Sequence, residues 1–206
     1  VDLREALLEN AALESRSVSR KARRRSRREE PLRFDSVIIG GGPAAAIFES
    51  ERRAKEPTRR ILTIASGMIG GQFLSYGERP VFYINSRDHR RQDIDTTGLP
   101  TCDGNINSFG PRAVVQLTDL SPETYPTNVE VGFAAAINEY LSSPTLQGAE
   151  VSEVDRYKNG DGNYDLTVQD EDGNEFVIVT DEVVYAAGLG ERQELLAGEN
   201  ESYFTS

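Results

Sequence analysis

The chain has 206 residues, 37% of them hydrophobic and 28% charged, enough for one globular domain with extensions but not for two complete domains. Its single cysteine, Cys102, and single histidine, His89, exclude an intrachain disulfide, a CxxC redox pair and a thiolate metal cluster, and weigh against a Ser-His-Asp triad. The net charge of −11 disfavours nucleic acid as the main ligand, and no stretch approaches the ~18 apolar residues of a membrane span.

The charge is unevenly spread. Residues 1 to 33 hold 10 Lys or Arg against 6 Asp or Glu, whereas the remainder holds 13 against 28. Leu3, Leu7, Leu8 and Ala11 fall at helical spacing and predict an amphipathic helix over residues 2 to 15. From Ser15 to Arg28 the arginines crowd together, and like charge at that density opposes compact packing. The run reads as a solvated linker or helix extension; an import signal, a tail for anionic membrane or nucleic acid, and part of a transit peptide are the alternatives. Residues 1 to 32 are therefore expected to be a helix and basic linker, contributing little to the fold, with residues 33 to 206 as the domain proper. Without a secretory signal the expected setting is cytoplasmic, and the initial Val suits a processed or excised piece.

At Phe34 the texture changes. Ser36-Val37-Ile38-Ile39 predicts a buried strand, a glycine run follows, residues 44 to 55 predict a helix stopped by Pro57, and residues 60 to 65 the next strand. Residues 66 to 128 are rich in Gly, Pro, Asn and Asp, with short strands expected at 81 to 84 and 113 to 117, and read as a ligand-covering region. A helix is predicted over 129 to 141, entered through Thr127 or Asn128 as cap, with Phe133, Ala134, Ile137 and Leu141 able to share one face. Strands at 151 to 157, 164 to 169 and 175 to 180, separated by Gly-containing turns, predict an antiparallel meander. Asp181-Glu182 then leads into Val183-Val184-Tyr185-Ala186, expected to return to the parallel sheet.

Gly40-Gly41-Gly42-Pro43-Ala44-Ala45 fits G-x-G-x-x-A between strand and helix. Gly40 permits the tight turn, Gly42 opens the backbone to a pyrophosphate, and the small Ala45 lets the helix lie close to the strand. The acidic residue expected at the end of the second strand, where it would hold a ribose, is replaced by Ser66. Either the ribose is held elsewhere, or Ser66 with Arg59 or Arg60 takes the 2′-phosphate of NADP.

The glycine run, Gly70-Gly71-Gln72 and Val183-Val184-Tyr185-Ala186-Ala187-Gly188 together resemble the FAD domain of the two-dinucleotide-binding flavoproteins, of thioredoxin-reductase and flavin-monooxygenase type, over residues 34 to about 190. The resemblance implies an α/β, Rossmann-like three-layer FAD/NAD(P)-binding domain with a parallel central sheet, helices on one face and a β-meander on the other. It also implies that Gly70, Gly71 and Gln72 lie along the flavin side, that the backbone of Val151 meets adenine, and that Ala187 and Gly188 pass by the pyrophosphate. The chain departs from that family in lacking an acid at Ser66, a CxxC, a second glycine fingerprint and a later Gly-Asp motif, so its dithiol chemistry has no carrier here.

Asn85, Ser86 and Arg87 follow an expected strand and form the densest polar cluster of the body. Asn85 or Ser86 can hydrogen-bond a flavin ring and Arg87 can face an anionic flavin or substrate, or the segment is a solvated turn in which Asp88 pairs with Arg90 or Arg91. The expected function is an FAD-dependent oxidoreductase linked to NAD(P)H and acting on a small substrate or oxygen, with no catalytic residue assigned. The alternative is a non-catalytic dinucleotide-binding module, a sensor or interaction domain, with NADP as its candidate ligand.

Overall fold

The computed structural model describes residues 3–26, 31–74, 115, 127–156 and 162–188. Helix α1 spans Leu3–Ser26, strand β1 Leu32–Ile39, helix α2 Pro43–Lys55 and strand β2 Ile61–Ala65. A short 3₁₀ turn, Gly71–Phe73, precedes helix α3, Asn128–Ser142, and strands β3, Thr145–Gln147, β4, Glu150–Arg156, β5, Tyr164–Gln169, and β6, Glu175–Tyr185. The six strands form one sheet in the order β3-β2-β1-β6-β5-β4. Its β3-β2-β1-β6 half is parallel, and its β6-β5-β4 half antiparallel.

Alternation along the strands separates two apolar faces. Ile38 and Ile61 pack under α2 against Ala45, with Phe48 and Val184 alongside. Val37, Leu62 and Ile64 point the other way, into a cluster with Leu166, Val168, Phe176 and Ile178 of the meander. The sheet thus curls so that its antiparallel half covers one face of its parallel half, while Ala149, at the start of β4, donates its N–H to the Ala65 carbonyl at 3.2 Å. Helix α2, with α3 packed on it, covers one face as expected, while the meander shares the other with α1.

Three features differ from the sequence reading. The third meander strand and the returning strand are one continuous strand, because Glu182, expected to break the run, is accommodated: its carboxylate accepts from Ser36 Oγ, Arg52 and Arg59. Burial alone would raise the Glu182 carboxyl, but these partners hold it below the ordinary range. Second, the basic run continues the N-terminal helix through Ser26, as the helix-extension alternative had it, but it is packed on the body and not simply solvated. Val18 and Ala22 join the meander-side core, 8% and 0% exposed, while the Ser19 hydroxyl donates to Asp170 at 2.7 Å. The arginines are tolerated because those on the outer side, Arg16, Arg20 and Arg24, stay exposed.

The third difference lies in α3. Its capping box closes as the sequence suggests, Thr127 Oγ1 accepting from the Glu130 N–H and Glu130 from the Thr127 N–H. The buried face, however, is Val131, Ala134, Ala135, Asn138 and Glu139, and Leu141 is 58% exposed. Small residues face Ala46 of α2 because the two helices approach closely, which the larger side chains at Phe133 and Leu141 would prevent. The strands expected at 81 to 84 and 113 to 117 fall outside the described residues, apart from position 115.

Candidate functional site

The site is built at the carboxyl ends of β1, β2 and β6. Parallel pairing sets Ile39 opposite Ile64 and Tyr185, so all three chains leave the sheet at one level. The Gly40 N–H donates to Ile64 O and the Ala186 N–H to Ile39 O, both at 2.7 Å. Gly40 then turns with φ +113, and a Cβ there would stand 2.3 Å from the Ala186 carbonyl oxygen and 2.7 Å from the Ala187 nitrogen. Only glycine fits, on both counts. The first motif and the Ala187-Gly188 segment are thereby in contact.

The second motif closes on the first from the other side. The Gly70 N–H donates to Gly41 O at 2.6 Å, and Ile69, fully buried, fills the space beside Gly41. Gly70 has φ +99, and a Cβ on it would meet Leu74 and the Gly132 carbonyl of α3 at 2.8 Å, so α3 presses the 3₁₀ turn against the glycine run. Asn128 Nδ2 also donates to Phe73 O at 2.8 Å. A Cβ on Gly71 would lie 3.1 Å from the Gly42 Cα, which places the two glycine segments side by side. Gln72 is exposed at this edge.

Gly42 caps α2 with an extended backbone, φ −94 and ψ −177, with no side chain capping the helix and Pro43 in its first turn. Its carbonyl takes the Ala45 and Ala46 N–H groups at 2.9 and 3.3 Å. A Cβ on Gly42 would meet nothing within 4 Å. Among the described residues nothing fills the space onto which the positive end of this 13-residue helix opens, with exposed Ala44 beside it and Ala45 buried below against Ile38.

Ser66 is exposed just past β2, and Val151 lies two residues beyond the Ala149 contact with Ala65, so both sit at this same end of the sheet. Val151 pairs with Val168, and the register slips between Val151 and Glu153. Gly188 is exposed with open space around it. Asn85, Ser86 and Arg87, like His89 and Cys102, lie outside the described residues.

The pairing of Ser66 with Arg59 or Arg60 does not form. Both arginines precede β2 and Ser66 follows it, about 20 Å along the strand direction at ~3.3 Å per residue. Arg59 is held by Glu56, Glu182 and Ser36, and Arg60 by Asp35. The backbone N–H and guanidinium of Arg60 hold the Asp35 carboxyl below its ordinary range despite some burial.

A polar cluster that the sequence reading missed lies between α2 and α3. Glu49 and Glu139 are both buried; Arg53 and Ser143 donate to Glu49, while neither carboxyl oxygen of Glu139 has a partner. Burial, with the Glu49 charge added, pushes the Glu139 carboxyl well up, and burial also raises Glu49 against the pull of Ser143 and Arg53. Burial, then Glu139, push the neighbouring Tyr140 up to about 12. In sequence Glu49 and Glu139 are unremarkable helix glutamates; only the pairing of their helices makes them a pair. Among the described residues no group of His, Cys, Asp or Glu is arranged to hold a metal ion.

No protein-family model and no curated protein matches the chain. Among solved structures it is similar to the bacillithiol disulfide reductase of Staphylococcus aureus, at 16% identity and TM-score 0.50, over 76% of this chain and 39% of that one. The corresponding enzyme of Bacillus cereus gives 14% and 0.47, over 75% and 39%. The likeness fixes the fold. The chain is a mixed α/β domain, Rossmann-like as in the Staphylococcus aureus structure, of whose length it spans 39%, and no described helix is long and apolar enough to cross a membrane.

Proposed function

We propose that the chain is the FAD-binding part of a flavin-dependent oxidoreductase, with the cofactor's pyrophosphate lying across the Gly42-Pro43 turn. The observation that carries this is the open space at Gly42 in front of the uncapped α2, because a helix N-terminus free of side chains is a ready-made phosphate site. The Rossmann-like fold, and the meeting of Gly40 to Gly42, Gly70 to Gln72 and Ala186 to Gly188 around that turn, support the same reading.

In this reading the Ala44 N–H and the α2 dipole bind the pyrophosphate, Ser66 offers one hydrogen bond to the adenosine ribose, and the Val151 backbone is available to adenine. Gly70, Gly71 and Gln72 line the flavin side, and Ala187 and Gly188 close the turn from above. When bound, the flavin supplies hydride acceptance and electron transfer. NAD(P)H as donor, and a small molecule or oxygen as acceptor, complete the proposed reaction. A dinucleotide-binding module without chemistry of its own is the second reading, favoured by the single glycine fingerprint.

Titrating the purified chain with FAD tests the proposal, yellow colour with flavin bands being expected. Gly42→Val is the decisive variant. Its backbone angles suit valine and its Cβ meets nothing, so the fold should persist at an unchanged melting temperature while the side chain occupies the pyrophosphate's place. Undiminished FAD affinity in folded Gly42→Val protein would sink the assignment, and tight binding of a colourless adenine nucleotide in place of FAD would favour the module.

A further inference from the structure

The opposite end of the sheet carries a second concave surface. A cleft of about 430 Å³ opens where β1 and β2 begin, lined by Arg25 from the last turn of α1, Arg33 on β1, Arg53 from the last turn of α2, and Arg59 and Arg60 before β2. Its remaining wall is mostly apolar, Leu32, Phe34, Ile61, Pro57 and Pro144, with Thr58 the one other polar residue among those described. Among the described residues no carboxylate lines it, in a chain whose net charge is −11.

Helix dipoles account for part of this concentration, since cations favour helix C-termini. They account for Arg25 and Arg53 but not for Arg33, Arg59 and Arg60, which lie on a strand and a loop. Ion pairing accounts for another part. Asp35 meets Arg60, Glu56 and Glu182 meet Arg59, and Glu49 meets Arg53. These contacts hold three of the guanidinium groups in place, and Arg25 and Arg33 are exposed at the cleft. The volume suits a small molecule rather than a polymer laid along a surface stripe.

We infer that this cleft binds a small organic phosphate, its phosphate held by the arginine fork and its organic part against Phe34, Leu32 and Ile61. Planar guanidinium groups match phosphate oxygens in pairs, and a surrounding apolar wall strengthens such charge-assisted bonds. The site is independent of the glycine turn. Eight residues of β1, at ~3.3 Å each, put about 25 Å between the two ends.

The test is isothermal titration of the full chain with phenyl phosphate, which has a flat apolar body and no adenine, compared with inorganic phosphate. Saturable binding is expected, about tenfold tighter for phenyl phosphate because its ring buries apolar area. Arg25→Glu with Arg33→Glu, both exposed positions, should weaken it by about tenfold or more with the melting temperature unchanged. Should that reversal disturb folding, Arg25→Gln with Arg33→Gln should still weaken it several-fold, on the order of one lost charge-assisted contact. Gly42→Val should leave it untouched, whatever it does to FAD. The inference is overturned by failure to saturate below about 10 mM, by equal affinity for the two phosphates, by undiminished binding in the folded arginine variants, or by loss of binding in Gly42→Val.

Discussion

A Cβ at Gly40 would collide with the Ala186-Ala187 backbone, whereas one at Gly42 would point into open space. Two glycines of one motif thus answer to different constraints, one set by the fold and the other by what the fold is proposed to bind. Gly40→Ala forces a side chain onto φ +113 and pushes β1 and β6 apart where they leave the sheet. Its expected cost is about 3 kcal/mol or more, read as a lower urea midpoint in the absence of any cofactor. A near-neutral Gly40→Ala would show that the carboxyl ends of β1 and β6 are not packed as described. The spacing of the motif made the turn legible in the sequence, and it made legible which glycine the backbone needs. What the sequence could not show is Ile69 buried beside Gly41, or Gly132 yielding to the 3₁₀ turn, since both depend on where α3 lies. The same limit applied to Ser66 and Arg59: near in sequence, they stand at opposite ends of β2 because an extended strand carries residues apart.

At the scale of elements, α2 and β2 could be read from hydrophobic period and glycine or proline stops to within a residue, whereas β1 begins four residues before the predicted Ser36 and the short β3 was not read at all. The misreadings fall where a charge is buried and its partner is remote. Asp181-Glu182 separates two predicted strands until Ser36, Arg52 and Arg59 are seen to satisfy Glu182, and nothing in the sequence signals that Glu49 is buried between Arg53 and Ser143. Glu139 lacks such relief. Its carboxyl, buried beside Glu49, titrates well above the ordinary glutamate value, so between the unfolded and folded values the native state holds a proton that the unfolded chain has lost. Stability from this group is therefore fully present below the unfolded value and lost as pH rises toward the folded one. Glu139→Leu, similar in volume and without polar atoms to desolvate, should stabilise the protein by about 1–3 kcal/mol at neutral pH and flatten that decline. Urea titrations of both proteins from pH 5 to 8 check it. Parallel stability curves with no gain would mean that Glu139 reaches water or a partner.

The whole molecule depends on how its N-terminal helix is used. Charge density predicts exclusion of the basic run, and a count of charges cannot foresee that the helix keeps most of them outward and pairs Arg23 with Asp170. Ser15, Val18, Ser19 and Ala22, three or four residues apart, form a narrow stripe of small side chains that lets α1 lie on the sheet. Ser15 exchanges hydrogen bonds with the backbone of Gln147, and Ser19 and Arg23 reach Asp170. Asp170 in turn organises the β5–β6 turn by accepting from the Asp172 and Asn174 N–H groups, so α1 ties the β3 edge to the meander. Burial acts to raise the Asp170 carboxyl, but Ser19 and Asn174 outweigh it and hold it below the ordinary range; this stability is present above the unfolded value and lost as pH falls through the folded one. Removing residues 1 to 26 uncovers the meander-side core and deprives Asp170 of two partners, which should lower the melting temperature by about 10 °C or more. Ala22→Glu places a charge at a fully buried position and should cost about 3 kcal/mol or more. Arg16→Gln and Arg20→Gln, on the exposed side, should change stability by no more than about 0.5 kcal/mol. Calorimetry of the four proteins separates the possibilities: if Ala22→Glu melts with the wild type, α1 is a loose leader; if the arginine variants melt early instead, charge rather than packing holds it to the sheet.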